Sequence, residues 1–559
     1  MADSKGSVFR LTLFKLSLPF CAVIAVIGIV WPDQFSGTIS AITGGAFATL
    51  DWFFMTSVTG FLIFCIWLAM CSYGNLKLGY PDDKPEFSTI SWFSMLFAAG
   101  MGVGLLFWGV AEPMKHYIAP PIGVPESSAA ARNAMVLTNF HWGLHAWGVY
   151  GVGALVLGYF HYRKGAPFLA GSPIRCVFQG KWVKPVASFA DLISILAVTF
   201  GVAGSLALGV IQFHVGLHET IGIPADSKIV GVILLIIVFI SYMLSAATSL
   251  DKGIQILSNI NMALAFLLMV FVLLAGPTEF LLRGMVTTLG DYLSSLVGRT
   301  LQLYPYDNIG GWMGNWTLIH FLWWIAWAPP VGIFIARISR GRTIREFVMG
   351  VLIAPTLFSI VWFSIFGGMG IYEEAYGGGG IGDMVKEDVT VALFSLYERL
   401  PLTEMLTVIS VILIFIFVVT SVDSATFVLG MLTSQGSMNP PTRTKLAWGI
   451  ILAALGGALM LSGNLAVVRA GAISFAIPLT LILLLQLAAL IRSLLYDNPI
   501  QVQDTLDQPT GESQDEAKPE TAPAETEASD DKQETEEKEE SDEKQEADDQ
   551  PQQTGEEQS

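Results

Sequence analysis

The chain contains twelve separate apolar runs, near residues 12–31, 50–73, 89–111, 135–160, 186–212, 228–248, 254–275, 315–335, 348–372, 403–432, 443–463 and 471–495. A bilayer core about 30 Å thick is crossed by roughly 20 residues of helix. In that solvent a spanning segment must satisfy its own backbone hydrogen bonds, which an α-helix does. The pattern predicts an all-α polytopic membrane protein with twelve transmembrane helices. No small-residue cleavage site follows the first run, so it is expected as a retained span. The charged fraction is 14%, well under the roughly 25% of soluble domains, and no nucleic-acid partner is expected.

The net charge of −17 belongs to one end. Residues 501–559 hold 22 Asp or Glu against 4 Lys and no Phe, Trp or Tyr. Such a segment buries too little apolar area to offset its ordering entropy. The expected organisation is a cytoplasmic N-terminus at 1–11, a twelve-helix membrane body at 12–495 and a disordered acidic cytoplasmic tail at 496–559. Lys and Arg favour cytoplasmic loops. With the N-terminus inside, 17 fall on the cytoplasmic side before the tail and 8 outside, so both termini are expected in the cytoplasm. Arg337, Arg340, Arg342 and Arg345 form a basic cluster suited to setting topology and touching lipid. The long outer connection containing "FLLRGMVTTLGDYLSSL" is amphipathic and suits the membrane surface. Cys21, Cys65, Cys71 and Cys176 lack paired or metal-ligand spacing and read as buried free thiols.

Two spans carry helix-weakening residues. The third holds Gly100, Gly102 and Gly104 in "FAAGMGVGLLFWG"; the eighth holds Pro329 and Pro330 in "WWIAWAPPVG". Interruptions at matching places in two halves of a transporter mark its substrate site, and spans 3–7 and 8–12 make equal halves. Close helix packing through Gly100 and Gly104 is the competing reading.

The fourth span contains "HWGLHAWGVY". At about 100° per residue, Trp142, Tyr150 and Trp147 share one face. Trp142 and Trp147 lie too deep for interface anchors, and Trp323, Trp324 and Trp327 repeat the pattern in the eighth span. Ring faces at membrane depth suit a quaternary ammonium group, at about 2 kcal/mol per desolvated contact. His141 and His145 are four apart and open to metal binding, but no acidic residue stands between them, and packing histidines are the default. Asp423 in the tenth span needs a polar partner and reads as a structural hydrogen-bond acceptor, with proton coupling as the alternative.

From about 12 to 495 the chain resembles the betaine/carnitine/choline transporter family, through "FSTISWFSMLFAAGMGVGLLFWGVAEP", "HWGLHAWGVY", "KGIQILSNINM", "WWIAWAPPVGIFIARISRGRTIREF" and "VTSVDSATFVLG". The resemblance implies two inverted five-helix repeats over spans 3–7 and 8–12, contact with membrane lipid, a homotrimer and a bacterial cytoplasmic membrane. It implies sodium-driven import of glycine betaine in osmotic protection, with no covalent chemistry and no organic cofactor. The alternative is a proton- or sodium-coupled choline, carnitine or dimethylsulfoniopropionate transporter. The aromatic box falls on Trp142, Trp147, Tyr150 and Trp324, with Trp323 and Trp327 as neighbouring pathway aromatics. The glycine stretch Gly100, Gly102 and Gly104 would meet a substrate carboxylate with backbone amides. Choline transporters of the family tend to carry Asp where this chain has Gly104, which favours a zwitterion here. One sodium site is implied at the backbone oxygens of Ala98, Met101 and Phe417 and the hydroxyls of Thr420 and Ser421. At the family's second sodium site Val198, Val202 and Pro330 stand in place of its residues, so the resemblance implies one site and leaves the stoichiometry open.

Overall fold

Helix forms wherever the apolar runs predict it. A computed structural model describes residues 3–496 apart from 101, 226, 249, 250 and 308, without the side chains of 3–12, 97–100, 248 and 251–256. The acidic tail beyond 496, and Met101 with the carbonyl assigned to it, lie outside the described residues.

The chain opens with α1 (Asp3–Val30) and α2 (Pro32–Met70), then the pairs α3 (Thr89–Gly100) with α4 (Val103–Ile118) and α5 (Ser128–Trp142) with α6 (Leu144–Lys164). After the short α7 (Ser172–Val177) come α8 (Val183–Ile221), α9 (Lys228–Thr248) and α10 (Asp251–Ala275). α11 (Thr278–Thr300) and α12 (Gly310–Met313) lead through a π-helical turn, Gly314–Leu318, into α13 (Ile319–Ile338). Then follow α14 (Ile344–Tyr372), α15 (Ile381–Glu387), α16 (Ala392–Tyr397), α17 (Thr403–Thr433), α18 (Thr442–Leu461), α19 (Leu465–Ile473) and α20 (Ala476–Tyr496).

Among the described residues 11 helical segments are long and apolar enough to cross a bilayer. The remaining crossing is the third, which the glycine stretch divides into α3 and α4, each too short to span alone. Loop contacts agree with a count of twelve. The connection after α2 pairs with that after α13 through Leu78 N–H to Arg342 C=O (2.9 Å) and Ile344 N–H to Leu76 C=O (2.8 Å). On the opposite side Arg132 of α5 meets Asp291 of α11 at 2.5 Å.

Four details differ from expectation. α2 begins at Pro32, not near 50. Thr38, Thr43 and Thr49 of the less apolar stretch before residue 50 donate to carbonyls four residues back and remain helical. α13 runs unbroken through Pro329 and Pro330, because α6 packs flush against it: a Cβ on Gly332 would sit 3.1 Å from the backbone of Gly153 and Ala154. Neighbouring helices accommodate membrane prolines in this way.

Of the thiols, Cys21 and Cys65 are buried, Cys71 is half-buried and Cys176 is exposed. α7 buries Ile174 and turns Cys176 outward. The basic cluster is used internally beyond its predicted role. Arg340 donates to Asp83 (3.0 Å), Arg342 lies 4.2 Å over the Trp92 ring and Arg345 donates to Ala69 C=O (2.7 Å); Arg337 is exposed. The Arg340 hydrogen bond, with Tyr80 N–H, holds the Asp83 carboxyl below its usual range.

Candidate functional site

α6 packs on α13 and α8 on α17, so each contact joins one half of the chain to the other. Where these helices meet α4 and α5 lies a cavity of about 110 Å³. One water needs roughly 10–15 Å³ by this measure, so the space suits a solute with on the order of eight to ten heavy atoms. Gly102, Gly104, Trp142, Tyr150, Trp323, Trp324 and Trp327 all line it, with Phe107, Trp108, Ser205, His320 and Ser421. Among the described residues no Asp, Glu, Lys or Arg does.

Trp324 is the hub of the rings. Its centroid is 5.0 Å from Trp142 at 68° and 6.0 Å from Tyr150 at 72°, edge-to-face geometry that aromatic quadrupoles favour. Both indole N–H groups are tied back, Trp324 to the His141 carbonyl and Trp142 to Glu112 Oε2, each at 2.8 Å. The faces remain for a ligand. Trp147 does not line the cavity; it is buried and packs edge-on behind Tyr150 at 5.5 Å. The helical wheel failed there because the fourth span breaks at Gly143, whose φ and ψ of −97° and −134° leave the helix. Side-chain angles counted across that break do not hold. Leu144 N–H, left without a helical partner by the break, donates to the Tyr292 hydroxyl of α11 at 3.0 Å.

Gly104 shows why glycine stands there. A Cβ would lie 3.0 Å from Trp142 Cη2, close enough to press on the ring. α4 begins at Val103, so its N-terminal end, with Val103 and Gly104 in the wall, opens at the cavity, while Leu105 N–H is paired with Gly102 C=O at 3.1 Å. Gly100 ends α3.

Of the residues assigned to sodium, Ala98 is placed in α3 by its backbone alone. Thr420 donates to Ile416 and Phe417 carbonyls (2.8 and 3.3 Å). Ser421 Oγ comes to 3.9 Å from where a Gly102 Cβ would stand, which puts it beside the interrupted third span. Val202 lines the cavity and Val198 is buried, while the Thr199 hydroxyl donates to Ile195 C=O at 2.7 Å.

The histidines have separate surroundings. His145 meets Thr300 Oγ1 at 3.2 Å and stacks on Phe321. His141 instead meets Glu112 Oε1 at 2.5 Å and Thr317 Oγ1 at 3.0 Å, and His320 lies 3.3 Å from Glu112 Oε2. Sequence reasoning missed Glu112 and His320. A carboxylate inside an apolar span, four residues before His116, was the available signal.

Interrupted helices around a ring-lined cavity at the meeting of many apolar spans, with no Asp, Glu, Lys or Arg in its described lining, are the architecture of a membrane transporter. Comparison with known proteins agrees. Residues 12–498 match the family described as BCCT, betaine/carnitine/choline family transporter, and the chain belongs to that family. It is a multi-pass membrane transporter and not an enzyme. It is 41% identical over 503 residues to the glycine betaine transporter OpuD of Bacillus subtilis, covering 89% of this chain and 97% of that one. It is 40% identical over 488 residues to an ectoine/hydroxyectoine transporter of Virgibacillus pantothenticus (86% and 96%), and 38% identical over 487 residues to a glycine betaine transporter of Acinetobacter baylyi (87% and 73%).

Proposed function

We propose that the protein is a sodium symporter that imports glycine betaine across a bacterial cell membrane as an osmoprotectant. The observation that carries the substrate is the cage of Trp142, Tyr150 and Trp324 in a cavity whose described lining has no carboxylate. A methylated onium head cannot be held by donated hydrogen bonds and is attracted to ring faces, while the N-terminal end of α4 suits its carboxylate. Two of the relatives named above are glycine betaine transporters. The relative that carries ectoine and hydroxyectoine supports a second reading, a related cyclic zwitterion, which has the same charge.

Sodium coupling rests on the interruption of the third span beside the Ser421 hydroxyl, and on the oxygen-only chemistry a hard cation needs. The test is uptake of glycine betaine into proteoliposomes with and without an inward sodium gradient, with choline, carnitine, dimethylsulfoniopropionate and ectoine as competitors. We expect gradient-driven accumulation, at least about tenfold weaker in sodium response for Ser421→Ala, a loss of about 1.4 kcal/mol. Uptake indifferent to sodium defeats the coupling.

The same reading places both termini in the cytoplasm, which puts the connection holding Cys176 inside. A membrane-impermeant maleimide is expected to label Cys176 in inverted vesicles and to spare it in right-side-out ones. Labelling in right-side-out vesicles reverses the topology.

A further inference from the structure

Behind the cavity wall lies a buried polar cluster that the ring cage does not need. Glu112, His116 and His141 are fully buried and His320 is nearly so. Glu112 Oε2 accepts the Trp142 indole N–H at 2.8 Å, and Oε1 faces His141 Nδ1 at 2.5 Å. His141 is satisfied as a neutral imidazole, because the Thr317 hydroxyl can donate to its Nε2. His320 is different. Its Nδ1 sits 2.7 Å from the Trp316 carbonyl, which only accepts, so Nδ1 carries a hydrogen.

A neutral His320 in that tautomer has a lone pair on Nε2, and Nε2 stands 3.3 Å from Glu112 Oε2. Two bare acceptors repel at that distance. One further proton, on the imidazole or on the carboxyl, turns the repulsion into attraction. A second imidazole, His116, has both ring nitrogens without a hydrogen-bond partner and its Nε2 3.5 Å from Glu112 Oε1. The groups facing Glu112 are therefore His116 on its own helix, His141 on α5, His320 on α13 and, from α19, Arg469. The Arg469 guanidinium lies 5.0 Å over Trp108 and 5.1 Å over Trp316.

We propose that Glu112 and His320, with His116 and His141 around them, form a proton-binding site whose occupancy holds the substrate cage in the arrangement seen here. The link to the cage is direct. Glu112 fixes the Trp142 indole, and His320 is itself cavity wall, 6.0 Å from Trp142 and 6.3 Å from Trp324. Without the proton His320 is pushed from the carboxylate, and the two rings lose a common support. The sign follows. A solute that selects this arrangement binds more tightly in the protonated state, so its affinity falls as pH rises through the site's pKa. By linkage, binding near that pH takes up protons.

The inference rests on the glycine betaine reading, and its test separates the two. Betaine binding to the full-length protein is followed by tryptophan fluorescence at about pH 5.5 and about pH 8.5, and proton uptake by a pH dye in weak buffer. For the parent we expect about tenfold tighter binding at the acid end, within the range of coupling between sites, together with proton uptake. Glu112→Gln, which gains and loses no proton in this range, is expected to lose most of the pH dependence and the proton uptake. A Glu112→Gln protein that keeps the parent's pH dependence and proton uptake overturns the proposal. So does parent binding that is flat with pH and moves no protons, a measurement that stands even if the variant fails to fold. Absence of betaine binding at every pH would defeat the substrate reading instead.

Discussion

Trp324→Ala is expected to weaken glycine betaine binding by about 30-fold or more, with uptake falling in step. A desolvated cation–ring contact contributes about 2 kcal/mol, and every 1.4 kcal/mol is about a factor of ten. Trp324 also organises its neighbours, since Trp142 and Tyr150 both pack edge-on to it, and its indole holds the His141 carbonyl next to the break at Gly143. Truncation thus removes one wall and loosens two. Trp324→Phe keeps a ring face without the donor and is expected to lose only about fivefold, the scale of one neutral hydrogen bond. Trp147→Ala should cost less than Trp324→Ala, because Trp147 acts only through Tyr150. The measurement is the dissociation constant of each correctly inserted variant. Parent-like binding by Trp324→Ala would show that the onium head sits elsewhere.

The contrast between Trp324 and Trp147 also marks how far the sequence could be read. Length and hydropathy located the spans because membrane burial is a one-dimensional constraint, and tryptophans at mid-depth are anomalous enough to point at a cavity. Which way a ring faces is a three-dimensional fact. The wheel that grouped Trp147 with Trp142 assumed one continuous helix, and Gly143 ends that helix between them. The prolines failed the other way: Pro329 and Pro330 are breakers in isolation, but the flush contact between Gly332 and Gly153 keeps α13 helical. Glu112 and His320 were hidden for a related reason. His141 showed no acidic partner along its own span, and the carboxylate that meets it comes from α4. Contacts between spans, unlike the spans themselves, leave no periodicity to find.

The second large effect concerns Gly104, where bulk and charge can be separated. Gly104→Ala puts a methyl about 3 Å from Trp142 Cη2. The ring has little freedom to retreat, because Glu112 holds its nitrogen and Phe363 packs on it with centroids 5.5 Å apart. Overpacking of this kind typically costs about 1–3 kcal/mol, so binding should weaken roughly tenfold, for betaine and choline alike, since both present the same trimethylammonium head to the displaced ring. Gly104→Asp adds a carboxylate to a cavity whose described lining holds no cationic side chain. A zwitterion brings a second carboxylate into that space, whereas choline brings only the onium charge that neutralises the first. Betaine binding is then expected to fall by about 100-fold, some 3 kcal/mol, while the choline-to-betaine preference rises by at least about tenfold over that of Gly104→Ala. Competition uptake with the two solutes measures that ratio directly. If Gly104→Asp and Gly104→Ala give the same ratio, position 104 acts through the space it leaves Trp142 alone, and the substrate's carboxylate lies beyond its reach.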